Sequence, residues 1–292
     1  MTNKDQTRVA VITGASSGIG KEAAKALVTK GWRVIGIGRD PQRTAAAQAE
    51  IRAAAPGAQA DMIRADLSLL RKAAGVAAEI TSRTQRIDAL LNNAGGVSKE
   101  LVVTSEGLES TFAGNHLGHF VLTNRLLPIL RATAAASSPG ATRIISVSST
   151  GHERSPGLQW DDLQLLRNFT TGGAYCNAKL ANILFTRTLA KRLAADGIVA
   201  HAMHPGVVDS NFANHGDDFL QRYMATLKDV SVTPAAAADT LIWLATASEP
   251  GQTTGGYYHQ RTAIPPSAAA QDEAAAERLW SESEALVARV GI

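Results

Sequence analysis

The sequence predicts an α/β fold in which a doubly wound parallel sheet carries helices on both faces. Two observations lead to this prediction. Short segments rich in β-branched residues alternate with helical segments through the first half of the chain. A glycine-rich turn joins the first strand to the first helix, and small or polar residues follow the later strands. Ligands of such sheets bind beyond the carboxyl ends of the strands, so we expect the functional residues there.

The composition is that of an ordinary globular protein and excludes several classes of function. The net charge is +3, and Lys and Arg are spread along the chain, so we expect neither a nucleic-acid-binding arm nor a polybasic membrane segment. The single cysteine, Cys176, excludes an internal disulfide and a cysteine-based metal site, and it is interpreted as a packing residue. The histidines lack metal-binding spacing, so no metal is expected.

The same composition leads to an expectation about the compartment. No apolar segment reaches the length of about 18 residues that a membrane helix needs. Residues 1–7 are too short and too polar for a signal peptide, and one unpaired cysteine suits a reducing compartment. We therefore expect a cytoplasmic protein without a membrane anchor, in which residues 1–292 form a single domain.

The first strand, turn and helix are the most informative segment. Residues 8–13 predict a strand, and residues 21–30 predict a helix that ends at Gly31. Between them, T-G-x-x-x-G-x-G at residues 13–20 permits a tight turn and lets a pyrophosphate approach the helix N-terminus. A turn alone could explain a glycine cluster, but this context predicts dinucleotide binding and a Rossmann-type fold. The cofactor half would span about residues 1–150, and the catalytic and substrate half about residues 151–292.

The end of the second strand predicts the type of dinucleotide. Residues 32–37 form this strand, and Gly38 and Arg39 follow it. In such folds an acid at this point binds the ribose 2′-hydroxyl, whereas an Arg accommodates a 2′-phosphate. We therefore predict NADP(H) rather than NAD(H). Asp40 is expected to start or cap the next helix, because Pro41 suits a first helical position.

The alternation continues along the chain. Helices are predicted at residues 41–55, 69–83, 106–130 (as one helix or two), 234–246 and 268–290, and strands at residues 61–65, 87–91, 143–147, 198–203 and, as the last one, 255–258. Asp66 follows a strand and could accept from an adenine amino group, cap a helix, or do both. Residues 211–229 contain several aromatic and aliphatic side chains and predict a C-terminal lid over an apolar substrate.

Tyr175 and Lys179 are the candidate acid/base pair. Residues after them keep a helical period, so the two side chains would share one helix face. A phenol has an ordinary pKa of about 10, and a nearby cation lowers that value toward neutrality. Such a phenol suits general acid/base chemistry. A Tyr and a Lys one turn apart are far more often surface or packing residues, so the pair needs a cofactor site beside it to be meaningful.

Several motifs together resemble the short-chain dehydrogenase/reductase family. They are T-G-x-x-x-G-x-G at residues 13–20, N-N-A-G at residues 92–95, Ser148-Ser149 after a strand, and Y-x-x-x-K at residues 175–179. Their order and spacing match over nearly the whole chain. Four further segments resemble the retinol dehydrogenase and WW-domain oxidoreductase branch: N-H-L-G-H-F at residues 115–120, A-Y-C-x-x-K-L-A-N-I-L-F at residues 174–185, H-P-G-V-V at residues 204–208 and R-L-W-S-E-S-E at residues 278–284. Membrane-associated members of that branch carry an N-terminal hydrophobic segment that this sequence does not show.

The resemblance implies a role for each matching residue. Tyr175 would donate a proton to a carbonyl or accept one from an alcohol, and Lys179 would lower the Tyr175 pKa and bind the nicotinamide ribose. Ser149, rather than Ser148, would hold the substrate oxygen, and Asn115 would support a water-linked proton relay. The residues implied in cofactor binding are Gly14, Ser16, Ser17, Gly18, Ile19, Gly20, Arg39, Asp66, Leu67, Asn93, Ala94, Gly95, Tyr175, Lys179, Pro205, Gly206, Val208 and Ser210.

The implied function is NADP(H)-dependent hydride transfer between nicotinamide and a small carbonyl or alcohol substrate. Two alternatives stay open: a non-catalytic NADP(H)-sensing or scaffold protein, and an epimerase or ene-reductase on the same fold. Residues 151–173 resemble an insertion of the retinol dehydrogenase branch, which would loop out so that Ser149 and Tyr175 still converge. His152 could face the substrate. A homodimer or homotetramer through the helices at residues 106–130 and 173–194 is implied by the resemblance alone.

Overall fold

One sheet of eight strands runs through the part of the chain that the computed structural model describes, residues 7–210 and 212–292. The strands are β1 (Val9–Thr13), β2 (Arg33–Gly38), β3 (Ala60–Arg64), β4 (Ala89–Asn92), β5 (Thr142–Val147), β6 (Ile198–Met203), β7 (Tyr257–His259) and β8 (Thr262–Ala263). Two predictions concern other residues: the polar start at residues 1–6 and the first lid residue, Asn211, lie outside the described residues.

The strand order is β3-β2-β1-β4-β5-β6-β7-β8, and the first seven strands are parallel. The chain reverses its direction of growth after β3, which opens a crevice at the carboxyl ends of β1 and β4. Every residue of β1, β4, β5 and β6 is buried, because helices cover both sides of the sheet. The predicted doubly wound parallel sheet is therefore confirmed.

Helices occupy both faces of the sheet. They are α1 (Gly18–Thr29), α2 (Pro41–Ala53), α3 (Leu70–Arg83), α4 (Ser110–Phe112), α5 (Gly118–Ala135), α6 (Thr171–Leu193), α7 (Asp218–Thr226), α8 (Pro234–Thr246), α9 (Ala268–Gln271) and α10 (Glu273–Val290). One apolar cluster joins the sheet to α3, α5, α6 and α10, and a second joins it to α1, α2 and α8. None of the described helices is long and apolar enough to cross a membrane.

Short turns complete the described chain. The 3-10 turns are Thr150–Arg154, Trp160–Asp162, Ala194–Asp196, Ala213–His215, Lys228–Val230 and Glu249–Gln252, and Ala113–Leu117 forms a π-helical turn between α4 and α5. The helix predicted at residues 106–130 is thus three consecutive segments, which begin where the Glu109 side chain caps Thr111 and Phe112. Asp272 caps α10 through Ala275 and separates it from α9, so the predicted terminal helix is interrupted.

The strand predicted at residues 255–258 is present as β7 (Tyr257–His259), but it is not the last strand. A further strand, β8, pairs antiparallel with β7 through His259 and Thr262. The turn between them places Gln260 and Arg261 at φ 46° and 60°, a left-handed region that Asn and Gly usually occupy. Because Gln-Arg is not a usual residue pair for this turn, the hairpin has no clear signal in the sequence.

The C-terminal helix α10 lies along α6. Trp280 of α10 packs on Phe185 of α6 and Phe120 of α5, with ring centroids 5.7 Å and 5.0 Å apart. Arg192 of α6 stacks over the Trp280 ring at 4.1 Å. The face of α6 near Phe185 is therefore covered within the chain itself. The oligomeric state stays a prediction.

Helix α3 begins without a cap of its own. Its N-cap residue, Leu69, offers no side-chain acceptor, and the Glu106 carboxylate accepts instead from the backbone N–H groups of Leu70 (2.5 Å) and Arg71 (3.1 Å). Asp66 does not cap this helix, contrary to the second interpretation of its position. Its Oδ1 atom accepts from Ser68 N at 3.0 Å and from Ser68 Oγ at 2.8 Å, which makes a turn before the helix.

Replacing Glu106 by Ala is expected to destabilise the fold. The change leaves two N–H groups at the start of α3 without an acceptor, and such a cap contributes about 1–2 kcal/mol to the free energy of unfolding. Urea unfolding of Glu106→Ala and of a surface control, Glu100→Ala, measures the difference. Equal midpoints for the two variants would contradict the assigned cap.

Candidate active site

A single cleft of about 1290 Å³ lies beyond the carboxyl ends of the strands. It is lined by residues from segments that are far apart in the chain, including the turn after β1, the segment after β4, the serines after β5 and helix α6. The predicted residues that line it are Gly14, Ser16, Ser17, Gly18, Ile19, Arg39, Asp66, Leu67, Asn93, Ala94, Gly95, Asn115, Ser149, Tyr175, Lys179, Pro205, Gly206, Val208 and Ser210.

The glycine turn after β1 is shaped by close backbone contacts. Gly14 has φ +70°, and a Cβ on it would lie 2.9 Å from Ala94 Cα. A Cβ on Gly20 would lie 2.4 Å from Gly14 O, so Gly20 packs behind the turn instead of lining the cleft. Gly18 has φ +54° and faces open space. Side chains at these positions would clash or strain the turn.

The N-terminus of α1 opens into the cleft with unsatisfied donors. Ser17 is its N-cap residue, but no side chain caps the helix and its first turn holds no acid. The first N–H groups of a helix have no partner inside it and carry a partial positive charge. They therefore fit the pyrophosphate of a dinucleotide, which would occupy the cleft beside Gly18 and Ile19.

Thr13 joins the ends of the two central strands. Its Oγ1 atom accepts from the backbone N–H groups of Asn93 (2.9 Å) and Ala94 (2.8 Å). The Asn93 side chain donates in turn to Thr13 O at 2.8 Å. The segment after β4 is thereby fixed against the glycine turn, and Asn93, Ala94 and Gly95 form one wall of the cleft.

The far end of the cleft lies beside β2 and carries two arginines. A Cβ on Gly38 would lie 2.8 Å from Ser16 Cβ, so the strand end is kept free of side chains. Arg39 has 67% of its side chain exposed and lies 3.9 Å from an Asp66 oxygen. Asp40 caps α2 by accepting from Arg43 N at 2.8 Å, as predicted. That hydrogen bond is the main cause that lowers the pKa of Asp40.

Arg43 also lines this end of the cleft and was not predicted. It lies in the first turn of α2, three residues after the capping Asp40, and its Nε atom is 3.6 Å from the Asp40 carboxylate. The sequence offers one indication of this position of Arg43: a cation in the first helical turn after a strand end that lacks an acid.

Ser149, Tyr175 and Lys179 meet at the other end of the cleft. A Cβ on Gly151 would lie 3.3 Å from both Ser149 Oγ and Tyr175 Cε1, so the two side chains are neighbours, and Lys179 Nζ lies 5.5 Å from the centroid of the Tyr175 ring. Ser148 has a different role, because its hydroxyl donates to Lys179 O at 2.7 Å inside the protein. The long segment between Ser149 and Tyr175 therefore does not keep the two side chains apart.

Burial dominates the electrostatics of the tyrosine and the lysine. It raises the pKa of Tyr175 to about 12, and the hydrogen bond from Ser149 offsets only part of that rise. It lowers the pKa of Lys179 to about 8. Lys179 Nζ donates to Val147 O at 3.0 Å instead of to the phenol. The prediction that Lys179 lowers the pKa of Tyr175 toward neutrality is therefore wrong, because burial raises that pKa instead.

Asn115 lies in the π-helical turn before α5. Its amide donates to Thr111 O (2.7 Å) and Gly96 O (2.9 Å) and accepts from Gly96 N (3.1 Å). A Cβ on Gly95 would lie 2.5 Å from Asn115 Oδ1 and 3.1 Å from Lys179 Nζ. Asn115 thus holds the segment after β4, and only a glycine fits between its amide and the lysine ammonium group.

His152 does not face the substrate side of the cleft, so that prediction is wrong. The side chain is fully buried, and its Nδ1 atom bonds Ser149 O at 2.7 Å. Its Nε2 atom accepts from Ser267 N at 3.1 Å, so Nδ1 carries the proton and donates to Ser149 O. His152 therefore ties the backbone of Ser149 to the segment before α9, which is a contact across 115 residues of sequence.

Apolar side chains surround the end of the cleft near Tyr175. Phe212 packs on the Tyr175 ring with centroids 4.9 Å apart, and Arg154 stacks over Tyr223 at 4.6 Å. Further lining residues come from α7 and the turn after it: Phe219, Leu220, Met224 and Leu227. Cys176 is buried beside them, and burial raises the pKa of its thiol, which agrees with packing and not with a nucleophile.

Replacing Lys179 by Met is expected to stabilise the protein at pH 7 by about 1–3 kcal/mol, because it removes a buried cation. Burial lowers the pKa of Lys179 from 10.5 to about 8. Between these values the unfolded parent chain binds a proton that the folded chain has released, so the parent gains stability as the pH rises.

The stability difference between Lys179→Met and the parent should therefore shrink between pH 8 and about 10.5. Denaturant unfolding at several pH values measures it, with the exposed Lys72→Met as the control that shows no such trend. Two results would contradict a buried Lys179 cation with a lowered pKa. One is a Lys179→Met variant that is less stable than the parent at pH 7, and the other is a stability difference that stays constant across this pH range.

Known proteins resemble this chain over most of its length. The family model described as short chain dehydrogenase matches residues 8–161. Retinol dehydrogenase 13 of Homo sapiens is 36% identical over 286 residues, which is 96% of this chain and 84% of that protein. Other relatives with similar identity are also retinol dehydrogenases, such as number 12 of Homo sapiens, at 36% over 94% of this chain and 85% of that one.

Solved structures share the fold. An uncharacterised protein from Mycobacterium Paratuberculosis has a TM-score of 0.73 at 30% identity, over 96% of this chain and 93% of that chain. The Pseudomonas aeruginosa RhlG/NADP active-site complex has a TM-score of 0.68 at 27% identity, over 86% of this chain and 93% of that one. With more than half of its length matched by the family model, this chain belongs to the short-chain dehydrogenase family and is similar to its retinol dehydrogenases.

Proposed function

We propose that the protein is an NADP(H)-dependent oxidoreductase that interconverts a carbonyl compound and its alcohol. One observation carries the proposal: the uncapped N-terminus of α1 and the Ser149–Tyr175–Lys179 group open into the same cleft. The first suits a pyrophosphate, and the second suits acid/base chemistry on an oxygen atom. When bound, the reduced nicotinamide supplies the hydride.

Tyr175 is the proposed proton donor to the carbonyl oxygen. Burial holds its pKa at about 12, so the phenol keeps its proton at neutral pH and can donate it. Ser149 and Tyr175 line the cleft side by side, so a substrate oxygen placed between the two hydroxyls would be bound by both. This arrangement stabilises negative charge on that oxygen as it develops.

Lys179 is the proposed source of positive charge beneath the reacting groups. Its Nζ atom is fixed by Val147 O and lies against Gly95 in the wall of the cleft. A cation at that place favours the phenolate that forms after the proton has left Tyr175. Both N–H groups of the Asn115 amide beside Gly95 are used, and its oxygen accepts from Gly96 N, so we propose that Asn115 supports the relay by holding the wall and not by moving the proton itself.

The substrate is proposed to be largely apolar. Phe212 contacts Tyr175 directly, and α7 adds Phe219, Leu220 and Met224 to the same end of the cleft. Apolar walls with a few converging polar groups are typical of sites for small organic molecules. Because relatives are named retinol dehydrogenases, retinal belongs in the first panel of substrates.

The preference for NADP(H) is proposed from the end of β2. The position after this strand is Gly38, and the nearby acid, Asp40, is engaged as the cap of α2. Arg39 and Arg43 both line the cleft there. Two guanidinium groups would pair with a 2′-phosphate, whereas the 2′-hydroxyl of NAD(H) gives them no charged partner.

Replacing Tyr175 by Phe is expected to lower turnover by on the order of 10³-fold or more, because the proton donor is removed. NADPH binding, followed by fluorescence, should stay nearly unchanged. Tyr223→Phe is the matched control in the same cleft, since it also removes one phenolic hydroxyl. Retained turnover in Tyr175→Phe would defeat the role assigned to Tyr175.

Replacing both Arg39 and Arg43 by Gln is expected to weaken NADPH binding by about tenfold or more and to leave NADH binding nearly unchanged. Dissociation constants of both cofactors for the parent and the double variant measure the effect. Arg125→Gln, an exposed arginine on α5, is the control. If the parent binds and uses NADH as well as NADPH, the proposed preference is wrong.

A further inference from the structure

His119 is a buried residue that contacts segments at both ends of the cleft. It is a residue of α5 with 1% of its surface exposed. Its Nε2 atom lies 2.8 Å from Thr13 Oγ1, across 106 residues of sequence. Its Nδ1 atom lies 3.0 Å from the backbone oxygen of Asn115, in the π-helical turn. One imidazole thus contacts both the strand end behind the glycine turn and the residue that holds Gly96.

The surrounding donors fix the tautomer of this ring. Thr13 Oγ1 already accepts two backbone N–H groups, from Asn93 and Ala94, so its lone pairs are used and its own hydrogen must be donated. The nearer acceptor is His119 Nε2 at 2.8 Å, while Leu91 O lies 3.4 Å away. Nε2 therefore accepts, and the proton resides on Nδ1, which donates to Asn115 O.

The ring is held neutral. Burial is the main cause that lowers the pKa of His119 to about 4, and the charge of Lys179 acts in the same direction. A neutral imidazole has one donor and one acceptor, and both are used here. A second proton on Nε2 would face the Thr13 hydroxyl, whose oxygen has no free lone pair for it.

We infer that His119 is a positioning residue that couples the cofactor turn to the catalytic end of the cleft. Through Thr13 it orders the backbone of Asn93 and Ala94, which line the cofactor side. Through Asn115 O it fixes the π-helical turn, in which the Asn115 amide holds Gly96 and lies against Gly95 beside Lys179. The inference rests on the proposed function, since both ends are assigned there.

Its neighbour His116 has a different environment. His116 is equally buried, but its Nε2 atom bonds Ser283 Oγ at 2.9 Å and its ring packs on Phe112 and Phe185. These contacts lie in the core against α6 and α10, and the ring does not line the cleft. His116 therefore provides the control for a buried histidine three residues away, in the adjoining π-helical turn, whose ring contacts the core and not Thr13.

Two substitutions separate the two hydrogen bonds of His119. In His119→Asn the amide reaches the place of Nδ1 and keeps a donor for Asn115 O, but the acceptor for Thr13 is lost. In His119→Gln the longer amide reaches the place of Nε2 and keeps the acceptor for Thr13, but the donor to Asn115 O is lost. His116→Gln controls for loss of a buried ring.

We expect the two variants to differ in which constant changes. His119→Asn should raise the NADPH dissociation constant by about tenfold, the loss typical of one buried hydrogen bond, with a smaller change in kcat. His119→Gln should lower kcat by about tenfold and change NADPH binding by less than about twofold. His116→Gln should change neither constant, whatever it does to the melting temperature.

The same experiment contains the outcomes that would overturn the inference. His119 would be only a packing residue if His119→Asn and His119→Gln had equal effects on the NADPH dissociation constant and on kcat. The same conclusion would follow if their effects were no larger than those of His116→Gln. ¹⁵N NMR of histidine-labelled protein gives a readout without turnover: a neutral Nδ1–H tautomer at His119 is expected, and an Nε2–H tautomer refutes the bridge. If the parent binds NADPH but reduces no substrate, the proposed function fails, while the binding and NMR results still decide on His119.

Discussion

The contact between the ends of β1 and β4 is the constraint on which the rest of the site depends. One hydroxyl, Thr13 Oγ1, accepts two backbone N–H groups from the segment after β4 and is itself bonded to His119. The strand ends approach so closely that a Cβ on Gly14 would lie 2.9 Å from Ala94 Cα. This closeness leaves the first N–H groups of α1 facing the cleft. It also aligns Gly95 with Lys179, so the proposed cofactor wall and the proposed catalytic end share one anchor.

Burial sets the chemical character of the proposed catalytic end, and it does so at some expense in stability. It raises the pKa of Tyr175 to about 12 and lowers that of Lys179 to about 8, so each group is pushed toward its neutral form. A chain selected only for stability would have no reason to keep a lysine there. The retained ammonium group, fixed by Val147 O, is best explained by a function that needs positive charge beside the phenol.

Local patterns predicted most of the fold, whereas long-range contacts could not be predicted. The strands, the glycine turn, the capping Asp40 and the helix that carries Tyr175 and Lys179 all follow from short periodicities and turn chemistry. Contacts between distant segments were not predicted. The Glu106 cap of α3 spans 36 residues of sequence, and the hydrogen bond between His152 and Ser267 spans 115. Neither carries a local signal, because any Glu or His can serve such a role once the fold places it there. The β7–β8 hairpin escaped because Gln260 and Arg261 adopt a conformation that their residue types disfavour.

The most direct test of the account is isotope transfer. NADPH carrying deuterium at the reactive carbon of its nicotinamide would be incubated with the protein and a panel of aldehydes and ketones, including retinal. Mass spectrometry of the products then locates the label. We expect deuterium on the former carbonyl carbon, with transfer lost in Tyr175→Phe. Deuterium on a former double-bond carbon would indicate an ene-reductase, and tight NADPH binding without any transfer across the panel would contradict the proposed reaction.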